Sequence, residues 1–201
     1  MDDHNNQGFT LIEALVTFML IAVIGTSLLG ITHTGASSYR SVSNEMSVQY
    51  ESQIVMSQIE EYVISCNAGI YWTAANHTLR VAVRDEADDD EAHYTVHFFK
   101  WEPDAQQINY ASQPVTINED SGIATCDEPS ASDWALMGSR VTGFSAEQVR
   151  SSMRLELGVT MGNKSYTTKS VTAMRNEVII GADSVGTDYD EWLQAVCAPE
   201  E

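Results

Sequence analysis

Residues 7–31 read QGFTLIEALVTFMLIAVIGTSLLGI. From Phe9 to Ile31 the only ionisable side chain is Glu13. As a helix rising about 1.5 Å per residue, this run reaches roughly 34 Å, enough for the hydrocarbon core of a bilayer. A secretory signal would have a basic start, a shorter apolar core and a small-residue cleavage site after it. Here the start is MDDHNNQ, without Lys or Arg, and no A-x-A pattern follows the run. A carboxylate at the centre of a bilayer helix costs about 2.5–3.5 kcal/mol on insertion scales, and less near the interface. Glu13 therefore calls for a partner. Cleavage between Gly8 and Phe9 would create an α-amine four residues before it. Such an amine and a carboxylate about 4 Å apart attract by roughly 4 kcal/mol at an effective dielectric near 20, before desolvation.

The run Gly8-Phe9-Thr10-Leu11-Ile12-Glu13, continuing Ala-Leu-Val, resembles the class III signal of type IV pilins and type II secretion pseudopilins. The motif covers the first tenth of the chain and is specific. The resemblance implies a prepilin peptidase cutting after Gly8 and N-methylation of Phe9. It implies Glu13 as the assembly contact, paired with a Phe9-type amine of a neighbouring subunit. It also implies other pilin or pseudopilin subunits, an inner-membrane assembly platform and membrane lipid as partners. The globular domain would lie outside the cytoplasm, first on the cell membrane and then in a surface or periplasmic filament. Two features depart from the family. Asp2 and Asp3 stand where the leader normally carries Lys or Arg, so orientation rests on the motif and not on the positive-inside rule. Many major pilins place a proline midway along this helix; this chain has Gly25 and Gly30, and no proline before Pro103.

Beyond Ile31 polarity rises. From Val48 a 3.6-residue period places Val48, Val55, Ile59 and Val63 on one face with Tyr62 beside it. Glu51, Ser52, Gln58 and Glu61 fall on the other sides. The helix is expected to end near Cys66-Asn67-Ala68-Gly69, with Gly69 as its cap. Strand alternation follows in residues 78–84 and 93–101, with the acidic run DEADDDE at 85–91 between them. Residues 153–161 alternate most cleanly. Gly162-Asn163 offers a turn, and Lys164 to Ile180 reads as a second long strand, completing a hairpin. Weaker strands are expected at 107–110, 114–118 and 134–137.

The expected organisation is a leader at 1–8, a transmembrane half-helix at 9–31, an amphipathic half at 32–68, a β-rich domain at 69–182 and an acidic tail at 183–201. The fold class is α+β and pilin-like, a long helix laid on an antiparallel sheet. The closing stretch YTTKSVTAMRNEVIIG, with Met174-Arg175-Asn176, is similar to the end of PilW-like and GspJ-like minor subunits. In the tail, Trp192, Leu193 and Val196 offer apolar anchors against the alternative of a frayed end.

The net charge of −19 argues against DNA, RNA or anionic headgroups as main partners, because phosphate contacts need Lys and Arg. Three cysteines, Cys66, Cys126 and Cys197, allow one disulfide of open pairing if the domain lies outside the cytoplasm. The run DEADDDE has calcium-type ligands but lacks the spacing and glycine of an EF-hand, so a solvated loop is expected. His93 and His97 share a strand face without further ligands at metal spacing. No GxSxG, P-loop or HExxH motif is present. The expectation is a structural protein without catalysis, metal or cofactor. Asn76-His77-Thr78 and Asn163-Lys164-Ser165 fit the glycosylation sequon.

Overall fold

The computed structural model describes residues 10–85, 93–118, 121–176, 178–183 and 186–198. The chain divides into two units, residues 1–44 and 45–201. A single helix, α1 (Leu11–Ser65), contributes to each. In the first unit no residue of α1 is buried.

The second unit holds the strands β1 (Gly69–Thr73), β2 (Thr78–Asp85), β3 (His93–Glu102), β4 (Gln107–Pro114), β5 (Thr116–Ile117), β6 (Ala124–Thr125), β7 (Ala135–Ser139), β8 (Val141–Val149), β9 (Ser152–Met161), β10 (Lys164–Ala173) and β11 (Ile179–Ala182), followed by helix α2 (Tyr189–Val196). Six strands form one sheet in the order β11-β1-β2-β3-β4-β7; β10-β9-β8 form a second, and β5-β6 a small ribbon. Among the described residues all pairings are antiparallel except β1 with β11. The fold is therefore α+β, a long apolar N-terminal helix followed by a largely antiparallel β domain.

The expected helical stripe is buried, with Val48, Val55, Ile59 and Val63 each at most 2% exposed. Ser52 belongs to the same stripe, contrary to the sequence reading. It sits four residues from Val48 and three from Val55, and its hydroxyl bonds that of Thr168 on β10. Glu51 is also engaged: its carboxylate accepts from Ser139 N at 3.3 Å and Ser139 Oγ at 2.8 Å, and pairs with Arg140 at 3.3 Å. The stripe packs with Ile70, Leu79, Val81, Phe99 and Ile108 of the large sheet and with Leu155, Leu157 and Val159 of β9.

A second core lies on the other face of the large sheet. Tyr71, Ala82, Tyr94, Val96 and Phe98 meet Ala124 of β6 and Trp192, Leu193 and Val196 of α2. Successive side chains of a strand point to opposite faces. Ile70 and Trp72 thus serve the first core and Tyr71 the second. Burying each of the three α2 anchors stabilises the docked helix by roughly 1.5–3 kcal/mol before entropy.

Two further expectations need correction. Helix α1 stops at Ser65, and Gly69 opens β1 instead of capping it. Glycine is required there by close approach: a Cβ would stand 2.5 Å from Val196 Cγ2 and 2.8 Å from Trp192 Cζ2. The long strand over 164–180 is two strands in two sheets. The chain leaves β10 after Ala173, and Asn176 Nδ2 donates to Cys66 O at 3.1 Å before β11 joins β1. The tail is docked through the anchors expected of it, Trp192, Leu193 and Val196, and they lie on a short helix. Asp188 is its N-cap, accepting from Asp190 N at 3.4 Å.

Gly181 meets Tyr71 and Trp192 as closely, with an added Cβ 2.7 Å from Tyr71 Cδ2 and 2.8 Å from Trp192 Cδ1. Gly181→Ala is expected to cost about 1–3 kcal/mol in urea unfolding. Gly143→Ala, with open space around its added methyl, should stay within about 0.5 kcal/mol. Equal effects would refute the close packing.

Burial pushes the Cys66 thiol from its ordinary 9.0 up to about 11, against the lowering effect of backbone bonds at Ala68 and Gly69. Burial likewise raises Tyr110 from 10.0 to about 12. A raised pKa stabilises the fold fully below the unfolded value, and that stability is lost as pH rises through the folded value. Unfolding free energy should therefore decline between about pH 9 and 11. In Cys66→Ala the slope over that window should shrink by up to one proton's worth, about 1.4 kcal/mol per pH unit. An unchanged slope would count against a buried Cys66 thiol.

Candidate functional site

Gly8 and Phe9 lie outside the described residues. The described chain begins at Thr10, and α1 at Leu11. Thr10 and Glu13 form a reciprocal pair: Thr10 N donates to Glu13 Oε2 at 3.2 Å, Thr10 Oγ1 donates to the same oxygen at 3.1 Å, and Glu13 N donates to Thr10 Oγ1 at 3.4 Å. This is a capping box, which satisfies backbone N–H groups that have no partner in the first helical turn. The carboxylate also faces the positive end of the helix dipole. Reading Glu13 only as a contact between subunits missed this role. The signal was present, since Thr10-x-x-Glu13 before an apolar run is the capping-box pattern.

Glu13 is exposed, so the carboxylate that caps its own helix is also open to a partner's amine. The hydroxyls that follow are internally satisfied. Thr17 Oγ1 donates to Glu13 O at 2.7 Å, Thr26 Oγ1 to Ala22 O at 3.0 Å and Ser27 Oγ to Val23 O at 2.8 Å. Such back-bonding suits a medium without water. Large apolar side chains cover the same segment, Leu11 at 86% and Phe18 at 72% exposure among them. The helix is long and apolar enough to cross a membrane.

The remaining candidates lie apart from this site. All three thiols are free. Cys66 is fully buried in the first core, its Sγ 3.3 Å from both Gly69 O and Ala82 O. Cys126 and Cys197 are half-buried against the second. His93 is exposed at the start of β3. His97 is half-buried, with Nδ1 2.9 Å from Tyr110 Oη and its ring 4.7 Å from that of Tyr62. Burial lowers its pKa, partly opposed by Asp85. Among the described residues no three His, Cys, Asp or Glu side chains converge as a metal site. Of the acidic run at 85–91 only Asp85 is described; it ends β2 and accepts from Thr95 Oγ1 at 3.0 Å. The two sequon asparagines, Asn76 and Asn163, are exposed in turns. A cleft of about 360 Å³ lies between Gln58, Glu61 and Tyr62 of α1, Tyr110 of β4, and Leu136 and Met137 of β7. Its lining has one carboxylate and two phenols, without a nucleophile beside a base.

The family model of the prokaryotic N-terminal methylation motif matches residues 3–29. Neither the curated proteins nor the solved structures yield a match. The matched residues take in Gly8, Phe9, the capping box and most of the apolar run. The chain thus carries a type IV pilin-like prepilin signal, which implies processing by a prepilin peptidase and assembly with other pilins.

Proposed function

We propose that this chain is a minor pilin or pseudopilin without enzymatic activity. It is cut after Gly8, methylated on Phe9 and incorporated into a type IV pilus-like filament, whose assembly it initiates or supports. Its globular domain lies outside the cytoplasm. The observation that carries the reading is Glu13, an exposed carboxylate in the first turn of α1 and the one ionisable side chain of the apolar run 9–31, within the matched motif. A mature α-amine is the cation that the signal itself generates. The closing sequence with Met174-Arg175-Asn176 and the mature length support the larger PilW-like and GspJ-like minor subunits over a compact major pilin. Service in a type II secretion or DNA-uptake filament fits the same signal. A single-pass anchored adhesin that never polymerises is the competing class.

Mass spectrometry of the N-terminus is expected to find methylated Phe9; an intact Met1 would favour the adhesin. Two substitutions then separate the roles of Glu13. Glutamine can replace glutamate in a capping box but cannot form an ion pair. If the amine contact drives incorporation, Glu13→Gln and Glu13→Ala both insert in the membrane and both fail to enter filaments. Wild-type filament levels in Glu13→Gln would leave the carboxylate as a cap alone.

A further inference from the structure

Strand β10 is an outer strand of the three-stranded sheet. Among the described residues it pairs with β9 alone, over ten residues and without a register shift. The turn at Gly162-Asn163 has two residues, so the flanking pair Met161–Lys164 closes the ladder and bonding alternates from there. Residues 164, 166, 168, 170 and 172 bond β9. Ser165, Thr167, Lys169, Val171 and Ala173 turn their N–H and C=O groups to the open side, and each is exposed. Native edges are blunted by brevity, proline, a bulge or a free lysine. In the large sheet the outer strands are short, with five residues in β7 and four in β11. Strand β8 has an irregularity between Val141 and Gly143. Strand β10 is long, regular and free of proline, and both its lysines are engaged. Lys164 Nζ lies 3.4 Å from Glu45, and Lys169 Nζ lies 2.9 Å from Glu156.

A helix flanks this edge. Lys164 meets Glu45, Thr168 bonds Ser52, and Asn176 just past the strand bonds Cys66 O, so β10 and α1 run side by side in one direction. Between them a cavity of about 290 Å³ is lined by Glu45 and Gln49 of α1 and Lys164 and Tyr166 of β10.

We propose that β10 and α1 form a groove for strand addition, in which an extended, uncharged segment of another polypeptide, rich in Ser, Thr and Val, joins the sheet beside β10. The proposal does not depend on the filament reading. Main-chain bonds to the five open residues supply affinity, and the cavity receives a side chain from the alternate positions of the guest. The charge pattern selects the guest. Lys164, Lys169 and Arg154 are already matched by Glu45, Glu156 and Glu147. A charged guest side chain must break one of these pairs or stand beside a like charge. Ser165, Thr167 and Val171 offer an uncharged guest hydroxyl and β-branched neighbours instead.

The full chain in detergent is titrated calorimetrically with three capped ten-residue peptides: Thr-Val-Ser repeated with a final Thr, and versions with Glu or Lys in place of each Ser. The uncharged peptide should bind at least about tenfold more tightly than either charged one. It should also slow hydrogen exchange in the fragment spanning residues 162–173. Thr167→Pro removes an N–H from the open side and none from the β9 ladder. It should abolish binding and keep the urea midpoint close to that of the wild type; Val171→Pro repeats the test further along the edge. Ser170→Pro, which removes an N–H bonded to β9, should lower the midpoint, and an unchanged midpoint would overturn the register. Absence of protection at 162–173, tighter binding of a charged peptide, or full binding by Thr167→Pro would overturn the groove. A dimer of the chain that Thr167→Pro dissociates would make a second copy the occupant and overturn the assignment of the guest.

Discussion

Ile70, Tyr71 and Trp72 are consecutive, yet they serve two different cores. Pleating forces this, and the rest of the second unit follows from it. A strand that is apolar on both faces must be covered on both. On one side the stripe of α1 and the inner face of β9 provide the cover. On the other, α2 and β6 do so. The seating is close enough that glycine is needed at residues 69 and 181, where a methyl would meet side chains of α2 or Tyr71. Arg80 is the exception on the second face. Three aromatic rings surround its guanidinium, and the exposed Glu128 carboxylate pairs with it.

The first face was legible in the sequence because its signals are periodic. Val48, Val55, Ile59 and Val63 mark the helical stripe, and alternation in 78–84, 93–101 and 153–161 marks strands of both sheets. The second face was harder to see because its cover is discontinuous. Helix α2 spans only eight residues within an acidic stretch, and β6 only two. Strand β1, short and buried throughout most of its length, offers no alternation to detect. The division of 164–180 between two sheets depends on Asn176 bonding to Cys66 O, a contact set by residues far apart in the chain. Ser52 was misplaced because a hydroxyl on a helix reads as outward unless its partner, here Thr168, is known.

At the N-terminus the anomaly of Glu13 resolves locally before any partner is considered. Within one chain its carboxylate closes the first turn of α1 through Thr10. Capping and pairing are compatible uses of one group, since a carboxylate has about four lone-pair sites. A helix start that is fixed internally also fixes where that charge stands relative to the apolar run behind it. Positioning of this kind depends on the spacing Thr10-x-x-Glu13, and neither residue would supply it alone.

The hydroxyls of the apolar run carry a consequence for energetics. Thr17, Thr26 and Ser27 each give their proton to a carbonyl of their own helix. None depends on solvent, lipid or a neighbouring protein for that bond. Transfer of the segment from one apolar medium to another therefore leaves its hydroxyl bonding unchanged, and the free energy of transfer is left to packing and to a single charge. Within residues 9–31 Glu13 is the one ionisable side chain, so it is the group of that run whose free energy depends on whether an opposite charge is at hand.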